Sequence, residues 1–268
     1  MQYCCTLAAP EFQEDTVLPA LSCEARDYEA FAALAERLAA EGVRTVNLLT
    51  ADPLSFDQDR VIAILGRAHL SVAALCTETL YRLEGISMYA PNPYQRRRAV
   101  NRFNTLAGFA AQLGAFVRID CGESLSGAPA AEERAWAVES FRAAADYAGA
   151  VGVRLGLHVS AEKRPAFLGT IRELRAVCDA VAMPNFGYVL DLAEVFGQPA
   201  KTWTGLAADC MQLCLTADGS MRQERALDLL CASGCDALLS DEREPAEDLE
   251  ASMARIRTML ARSSQKGK

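Results

Sequence analysis

The chain has 268 residues, of which 51% are hydrophobic and 23% are charged, and its formal net charge at pH 7 is −8. This balance supplies a core and a wetted surface, which excludes a wholly disordered chain and a collagen-like or coiled-coil architecture. The acidic charge argues against a broad basic face for a phosphate backbone, so nucleic acid is not an expected partner.

Short apolar runs recur along the chain at intervals that leave room for a helix between them. A continuous apolar run of this kind is typical of a strand that is buried on both faces. Eight such runs predict strands over residues 2–7, 43–49, 70–76, 115–119, 153–158, 186–190, 211–215 and 237–240.

The segments between these runs show helical periodicity. Apolar residues recur at three- and four-residue spacing, as in Phe31, Leu34 and Leu38, which predicts one buried helical face. Glycines such as Gly42 and Gly114 follow the periodic segments and mark helix ends. Helices are predicted over residues 28–40, 57–67, 95–113, 132–150, 166–180, 205–209, 221–232 and 247–262.

Eight strand–helix units without a linker-like break indicate a parallel sheet that is covered by helices. A single (β/α)8 TIM barrel needs about 250 residues, so we expect residues 1–268 to form one such α/β domain. The doubly wound alternative is disfavoured because the sequence has no GxGxxG and no GxxxxGK[ST] phosphate-binding turn.

Cysteine usage and the amino terminus bear on the compartment. Ten cysteines are scattered through apolar runs without a CxxC pair, which favours reduced thiols over a disulfide framework. No basic segment followed by an apolar one opens the chain, and no stretch approaches about 20 uncharged apolar residues. We therefore expect a cytoplasmic protein that makes no membrane contact.

Polar side chains end four consecutive predicted strands in the second half of the chain. His158 ends the fifth strand, Asp191 follows the sixth, Cys214 lies in the seventh, and Glu242 follows the eighth. In a (β/α)8 barrel the active site lies at the carboxyl ends of the strands. Closure of the barrel would bring these potential metal ligands and acid–base groups together.

Several passages in this region resemble one superfamily in order and spacing over residues 96–242. The passages are NRFNTLAGFAAQLGAFVRIDCG, AADYAGAVGVRLGLHVS, MPNFGYVLDLAEVF, CMQLCLTADG and CDALLSDE. They resemble the sugar phosphate isomerase/epimerase superfamily with the xylose isomerase-like TIM barrel, which also includes AP endonuclease family 2-like (endonuclease IV-type) enzymes. The resemblance implies a metal-dependent isomerase or epimerase of carbohydrate metabolism that acts on a small carbohydrate-like substrate.

Carried over residue by residue, the family's metal ligands are only partly retained. The carboxylate after strand six is present as Asp191, and the final glutamate is present as Glu242. His158 replaces the glutamate after strand five, and Cys214 replaces the histidine of strand seven. A further family histidine, three residues after the strand-six aspartate, is replaced by Glu194.

Two interpretations of this divergent site follow. In the first, His158, Asp191, Cys214 and Glu242 hold a divalent metal, and the nitrogen and sulfur ligands move the preference from Mn²⁺ or Mg²⁺ toward Zn²⁺ or Fe²⁺. Glu242 and His158 then transfer a proton next to the substrate carbonyl. In the second, the metal is absent, and the barrel is a non-catalytic binder of a small ligand or a support for an active paralogue.

Two further residues are expected to contact the substrate. Glu194 stands where the family has a histidine, and Arg118 lies inside the fourth predicted strand. If Arg118 points into the barrel, it needs a carboxylate or an anionic ligand. An endonuclease IV-type activity is disfavoured because its three-zinc site is rich in histidine, whereas this chain has only His69 and His158. The sequence leaves open whether copies of the chain associate as a homo-oligomer.

Overall fold

Eight parallel strands form a closed barrel. The computed structural model describes residues 3–9, 27–77, 80, 86–122, 126–159, 165–192, 210–215 and 238–241. The strands pair in chain order, and the last pairs with the first. They are β1 (Tyr3–Ala8), β2 (Thr45–Leu49), β3 (Ser71–Cys76), β4 (Phe116–Cys121), β5 (Leu155–Val159), β6 (Phe186–Asp191), β7 (Cys210–Leu215) and β8 (Leu238–Asp241). The predicted (β/α)8 TIM barrel is thereby confirmed.

Helices follow each of the first five strands in the described part of the chain. They are α1 (Tyr28–Ala40), α2 (Gln58–Arg67), α3 (Pro93–Leu113), α4 (Ala130–Ala150) and α5 (Ile171–Val181). The helices predicted over residues 205–209, 221–232 and 247–262 lie outside the described residues. Each right-handed strand–helix–strand crossover places its helix against the outer face of the barrel.

The helix starts follow from side chains that accept hydrogen bonds from otherwise unpaired backbone amides. The Asp27 carboxylate accepts from the Ala30 amide at 2.7 Å, and Asp57 accepts from the Arg60 amide at 3.0 Å. Asn92 caps α3, where Pro93 occupies the first turn and needs no amide partner. These local signals are legible in the sequence, so the predicted starts agree with the structure to within two residues at α1, α2 and α3.

The single helix predicted over residues 166–180 is wrong in its first part. Ala166–Leu168 form a short 3-10 turn, and α5 begins only at Ile171. The Thr170 side chain accepts from the Glu173 amide at 3.2 Å and donates to the Glu173 carboxylate at 2.9 Å. This reciprocal cap starts a new helix after Gly169, and the apolar periodicity alone did not reveal the break.

The described residues contain several cysteines and five long helices. Among the described cysteines, Cys76, Cys121, Cys178, Cys210 and Cys214 form no disulfide bond. Within the described ranges, no helix combines the length and the apolar character that a membrane crossing requires.

Gly156 lies where the inside of the barrel leaves little room for a side chain. A Cβ there would lie 3.2 Å from Met211 Sδ, Phe116 Cε2 and Val189 Cγ2. We expect Gly156→Ala to lower the free energy of unfolding by about 1–3 kcal/mol through overpacking. Urea unfolding measures this.

Gly66→Ala is the matched control because a Cβ at Gly66 would meet nothing within 4 Å. That substitution, near the end of α2, should stabilise the protein by about 0.5–1 kcal/mol. Equal effects at the two glycines would contradict the tight packing around Gly156.

Candidate functional site

Four polar side chains converge at the carboxyl ends of β4, β5, β6 and β7. Asp120 of β4 is in register with His158 of β5, and Asp191 of β6 is in register with Cys214 of β7. The side chains of Asp120 and His158 are each 8% exposed, and Cys214 is fully buried. Carboxylates and imidazole that are removed from water must find partners, and here they find one another.

His158 is held at both ring nitrogens. Nδ1 lies 2.7 Å from Asp120 Oδ1, and Nε2 lies 3.0 Å from Asp191 Oδ1. A planar ring that is fixed at two opposite atoms keeps one orientation. The strand-end histidine of the sequence is therefore an imidazole clamped between two carboxylates.

Asp120 is held in turn by residues of β4 and the end of β3. Arg118 Nε lies 2.9 Å from Asp120 Oδ1, and the Thr77 amide donates to Oδ2 at 2.9 Å. The Thr77 hydroxyl donates to the Arg118 carbonyl at 2.9 Å and accepts from the Asp120 amide at 3.1 Å. The carboxylate thus has a defined direction before any ligand arrives.

Arg118 points into the barrel, and its side chain is only 2% exposed. The carboxylate beside it is Asp120, one of the two kinds of partner that the sequence left open. Its Nη1 lies 3.8 Å from Cys214 Sγ, so the guanidinium borders the same volume as the strand-end ligands. Arg118 therefore brings a fixed positive charge to the wall of the site.

The protonation states follow from this packing. Burial and the Arg118 charge lower the pKa of His158, but hydrogen bonds to Asp120 and Asp191 outweigh both and raise that pKa to about 9. Burial raises the pKa of Asp120, but Arg118, His158 and the Thr77 amide outweigh it and lower that pKa to about 2. At neutral pH an imidazolium and a guanidinium therefore face two carboxylates, and their charges cancel.

Three of the predicted ligands fit a metal ion as a donor set. One donor atom each from His158, Asp191 and Cys214 lies within 4.8 Å of the other two. Two ligands of one tetrahedral zinc ion stand about 3.3 Å apart, close to the 3.0 Å between His158 Nε2 and Asp191 Oδ1. The second ring nitrogen already faces a carboxylate, an arrangement typical of metal-binding histidines.

Charge balance also permits this metal. A divalent ion would replace the proton on His158 Nε2 and the proton on the Cys214 thiol, because metal ligands must be deprotonated. Two protons leave as two positive charges enter, so the net charge of the buried cluster is unchanged. Imidazole, thiolate and carboxylate together favour Zn²⁺ over Mn²⁺ or Mg²⁺.

A second polar cluster lies inside the barrel between β2, β7 and β8. Asn47 donates to Ser240 Oγ at 2.8 Å, and Gln212 donates to Asn47 Oδ1 at 2.9 Å. All three residues are fully buried. Gln212 lies two residues before Cys214 on β7, so this hydrogen-bonded layer supports the strand that carries the thiol.

The remaining predicted residues fall into two groups. Glu242 and Glu194 lie outside the described residues. His69 is exposed and precedes β3 at the amino end of the barrel, far from the carboxyl-end site, as the sequence indicated. The sequence assigned no catalytic, metal-binding or substrate-binding role to Asp120 or Thr77, although Asp120 follows Ile119 at a strand end and meets the same criterion as Asp191.

Comparison with known families gives one match. The model of the xylose isomerase-like TIM barrel matches residues 32–214, a range that includes Arg118, Asp120, His158, Asp191 and Cys214. Among curated protein sequences, none matches this chain significantly.

Solved structures with the same fold cover nearly the whole chain. The 3-keto-D-glucoside 4-epimerase from E. coli has a TM-score of 0.74 and 11% identity, with 97% of this chain and 100% of that chain covered. D-psicose 3-epimerase from Clostridium cellulolyticum H10, solved with D-tagatose, has a TM-score of 0.70 and 14% identity, with coverages of 97% and 98%. The IOLI protein, solved with a zinc atom, has a TM-score of 0.70 and 13% identity, with 98% of each chain covered.

Proposed function

Because the chain belongs to the xylose isomerase-like TIM barrel family, we propose that it acts as a sugar isomerase or epimerase. In this proposal it moves a proton next to the carbonyl of a small hydroxylated substrate, with the help of a divalent metal. The observation that carries the proposal is the convergence of His158, Asp191 and Cys214 within 4.8 Å at the carboxyl end of the barrel.

His158, Asp191 and Cys214 would hold the ion, and Glu242 would add a fourth ligand or act as the base. When bound, a divalent ion polarises a carbonyl or hydroxyl oxygen and lowers the cost of an enediolate. Glu242 takes the proton from the carbon next to that carbonyl. Arg118 and Glu194 contact the substrate, and the Arg118 guanidinium favours negative charge that develops on a substrate oxygen.

The role of His158 depends on whether the metal is present. A ring that binds a metal through Nε2 carries no proton on that nitrogen, so His158 then serves as a ligand only. In the metal-free protein, the same nitrogen shares its proton with Asp191 at 3.0 Å and can donate it to a substrate oxygen. Proton transfer by His158 is therefore a property of the metal-free state.

The first test is the metal content of protein purified without a chelator. Elemental analysis should find Zn²⁺, and calorimetric titration of chelated protein should show tighter binding of Zn²⁺ than of Mn²⁺. Activity is then followed as deuterium exchange from D2O into ketoses and inososes by NMR, and Glu242→Gln should abolish it. A protein that neither contains nor binds Zn²⁺ or Mn²⁺ would rule out the metal-assisted mechanism.

Removal of the sulfur ligand gives a sharper prediction. We expect Cys214→Ser to weaken Zn²⁺ binding by more than about 100-fold, which exceeds the usual cost of losing a residue that merely supports a ligand. Binding of Mn²⁺ should change less because Mn²⁺ prefers oxygen ligands. Calorimetry measures both affinities.

Cys178→Ser is the matched control. Cys178 lies on α5, where its thiol donates to the Gly187 carbonyl at 3.8 Å, and it is not among the described side chains that could hold a metal ion together. Equal losses of zinc affinity in the two cysteine variants would remove Cys214 from the proposed ligand set.

A second candidate function is a non-catalytic, metal-free barrel that binds a small ligand or supports an active paralogue. It is favoured by the mutual neutralisation of Arg118, Asp120, His158 and Asp191, because a site that already balances its charges does not require a cation. It predicts ligand-induced stabilisation without deuterium exchange. Exchange into any member of the panel that Glu242→Gln abolishes would exclude it.

A further inference from the structure

We infer that Asp120 is a positioning residue that fixes the orientation and tautomer of His158, so that Nε2 always faces Asp191 and Cys214. The inference deepens the proposed function, on which only its metal-binding consequence rests. Its basis is the 2.7 Å contact between Asp120 Oδ1 and His158 Nδ1, together with the groups that hold Asp120 itself.

The direction of the proton on Nδ1 follows from the partners of Asp120. Its carboxylate accepts from the Thr77 amide on Oδ2 and lies beside Arg118 Nε on Oδ1. An ionised carboxylate only accepts hydrogen bonds, so the ring nitrogen that faces it must be the donor. The charged ring donates to both carboxylates. In the neutral ring we expect the remaining proton on Nδ1, because the contact to Asp120 at 2.7 Å is shorter than the contact to Asp191 at 3.0 Å and Asp120 is itself held by Thr77 and Arg118.

Nε2 is then the ring nitrogen that can bind a metal or exchange a proton. With the proton held on Nδ1, the neutral ring presents the lone pair of Nε2 toward Asp191 Oδ1 and the Cys214 thiol. This is the tautomer that a metal, or a proton in transit, requires. Asp120 thus acts through His158 and needs no contact with substrate or metal.

Replacement of Asp120 by asparagine should disturb this arrangement. The amide has one acceptor atom where the carboxylate has two, and the Thr77 amide and His158 Nδ1 both donate to position 120, one to each oxygen. In either amide rotamer, the NH2 group faces another donor. The arrangement relaxes if the neutral His158 ring moves its proton to Nε2 and accepts at Nδ1.

The experiment is NMR of protein labelled with 15N-histidine and kept free of metal by a chelator. The chain has only two histidines, and the exposed His69 serves as an internal reference. In the wild type we expect a proton on His158 Nδ1 that exchanges slowly with water at every pH where the protein is folded, and that remains when the ring becomes neutral. In Asp120→Asn, the neutral ring should carry its proton on Nε2, whereas Asp179→Asn, at a side chain that is 73% exposed, should leave the wild-type pattern.

The second measurement is zinc affinity. Asp120→Asn should weaken Zn²⁺ binding about 10- to 100-fold, the usual cost of removing the carboxylate partner of a metal-binding histidine, and Asp179→Asn should leave the affinity unchanged. A wild-type Nδ1 proton that exchanges as fast as that of His69, or a neutral wild-type ring protonated on Nε2, would overturn the inference even if the variant does not fold. The expected wild-type spectrum in a protein that binds no zinc would support Asp120 as the positioning residue and count against the metal-assisted function instead.

Discussion

Replacing Arg118 with methionine is expected to lower the free energy of unfolding by about 3 kcal/mol, the size of effect seen when one partner of a buried ion pair is removed. The guanidinium is 2% exposed, and its Nε lies 2.9 Å from Asp120 Oδ1. Methionine fills much of the same volume, so the loss reports mainly on charge. Without Arg118, the Asp120 carboxylate keeps the Thr77 amide and His158 but loses its permanent positive partner. Urea unfolding at pH 7 in the presence of a chelator measures the change.

Two further variants separate charge from packing. Arg118→Met combined with Asp120→Asn should lose less stability than the two single variants lose together, because neither residue then leaves the charge of the other unpaired. Arg154→Met, at an exposed position just before β5, should stay within about 0.5 kcal/mol of the wild type. A double variant that loses as much stability as the two single variants together would show that Arg118 stabilises the barrel by packing rather than by pairing with Asp120.

The fold could be predicted from the sequence because the patterns that specify its strands and helices lie within short segments of the chain. Strands of a parallel barrel are buried on both faces, so each appears as a short apolar run. The caps at Asp27, Asp57 and Asn92 each act within three residues of the helix that they start. The error at residues 166–180 has the same origin, since the Thr170–Glu173 cap lies inside a segment whose apolar spacing continues through it.

Only part of the candidate site could be predicted from the sequence. The sequence shows where along a strand a residue lies, but it does not show which side chain of a neighbouring strand that residue contacts. The strand-end rule placed His158, Asp191 and Cys214 at one end of the barrel, where the structure brings their ligand atoms within 4.8 Å. Which partner each side chain takes depends on register and on the stagger of the strands. The contact of Asp120 with His158 depends on the register of β4 and β5, which the sequence does not reveal.

Raising the pH is expected to destabilise the metal-free protein through His158. Its folded-state pKa is raised from 6.5 to about 9, so the folded state binds the proton more tightly than the unfolded state does. The resulting stabilisation is fully present below the unfolded pKa of about 6.5 and is lost as the pH rises through about 9. A shift of this size corresponds to a contribution on the order of 3 kcal/mol.

Subtraction isolates this contribution from those of other groups, such as the Cys121 thiol, whose pKa burial raises. The difference in free energy of unfolding between wild type and His158→Asn should shrink by about 3 kcal/mol between pH 6.5 and pH 10, because only the wild type has the His158 proton to lose. His69→Asn is the matched control for the loss of an imidazole outside this cluster, since His69 is exposed and its left-handed backbone, with φ of 55°, tolerates asparagine. A His158 difference that does not vary with pH would show that the ring is not held as an imidazolium between Asp120 and Asp191, and it would remove the balanced charges that favour the metal-free barrel.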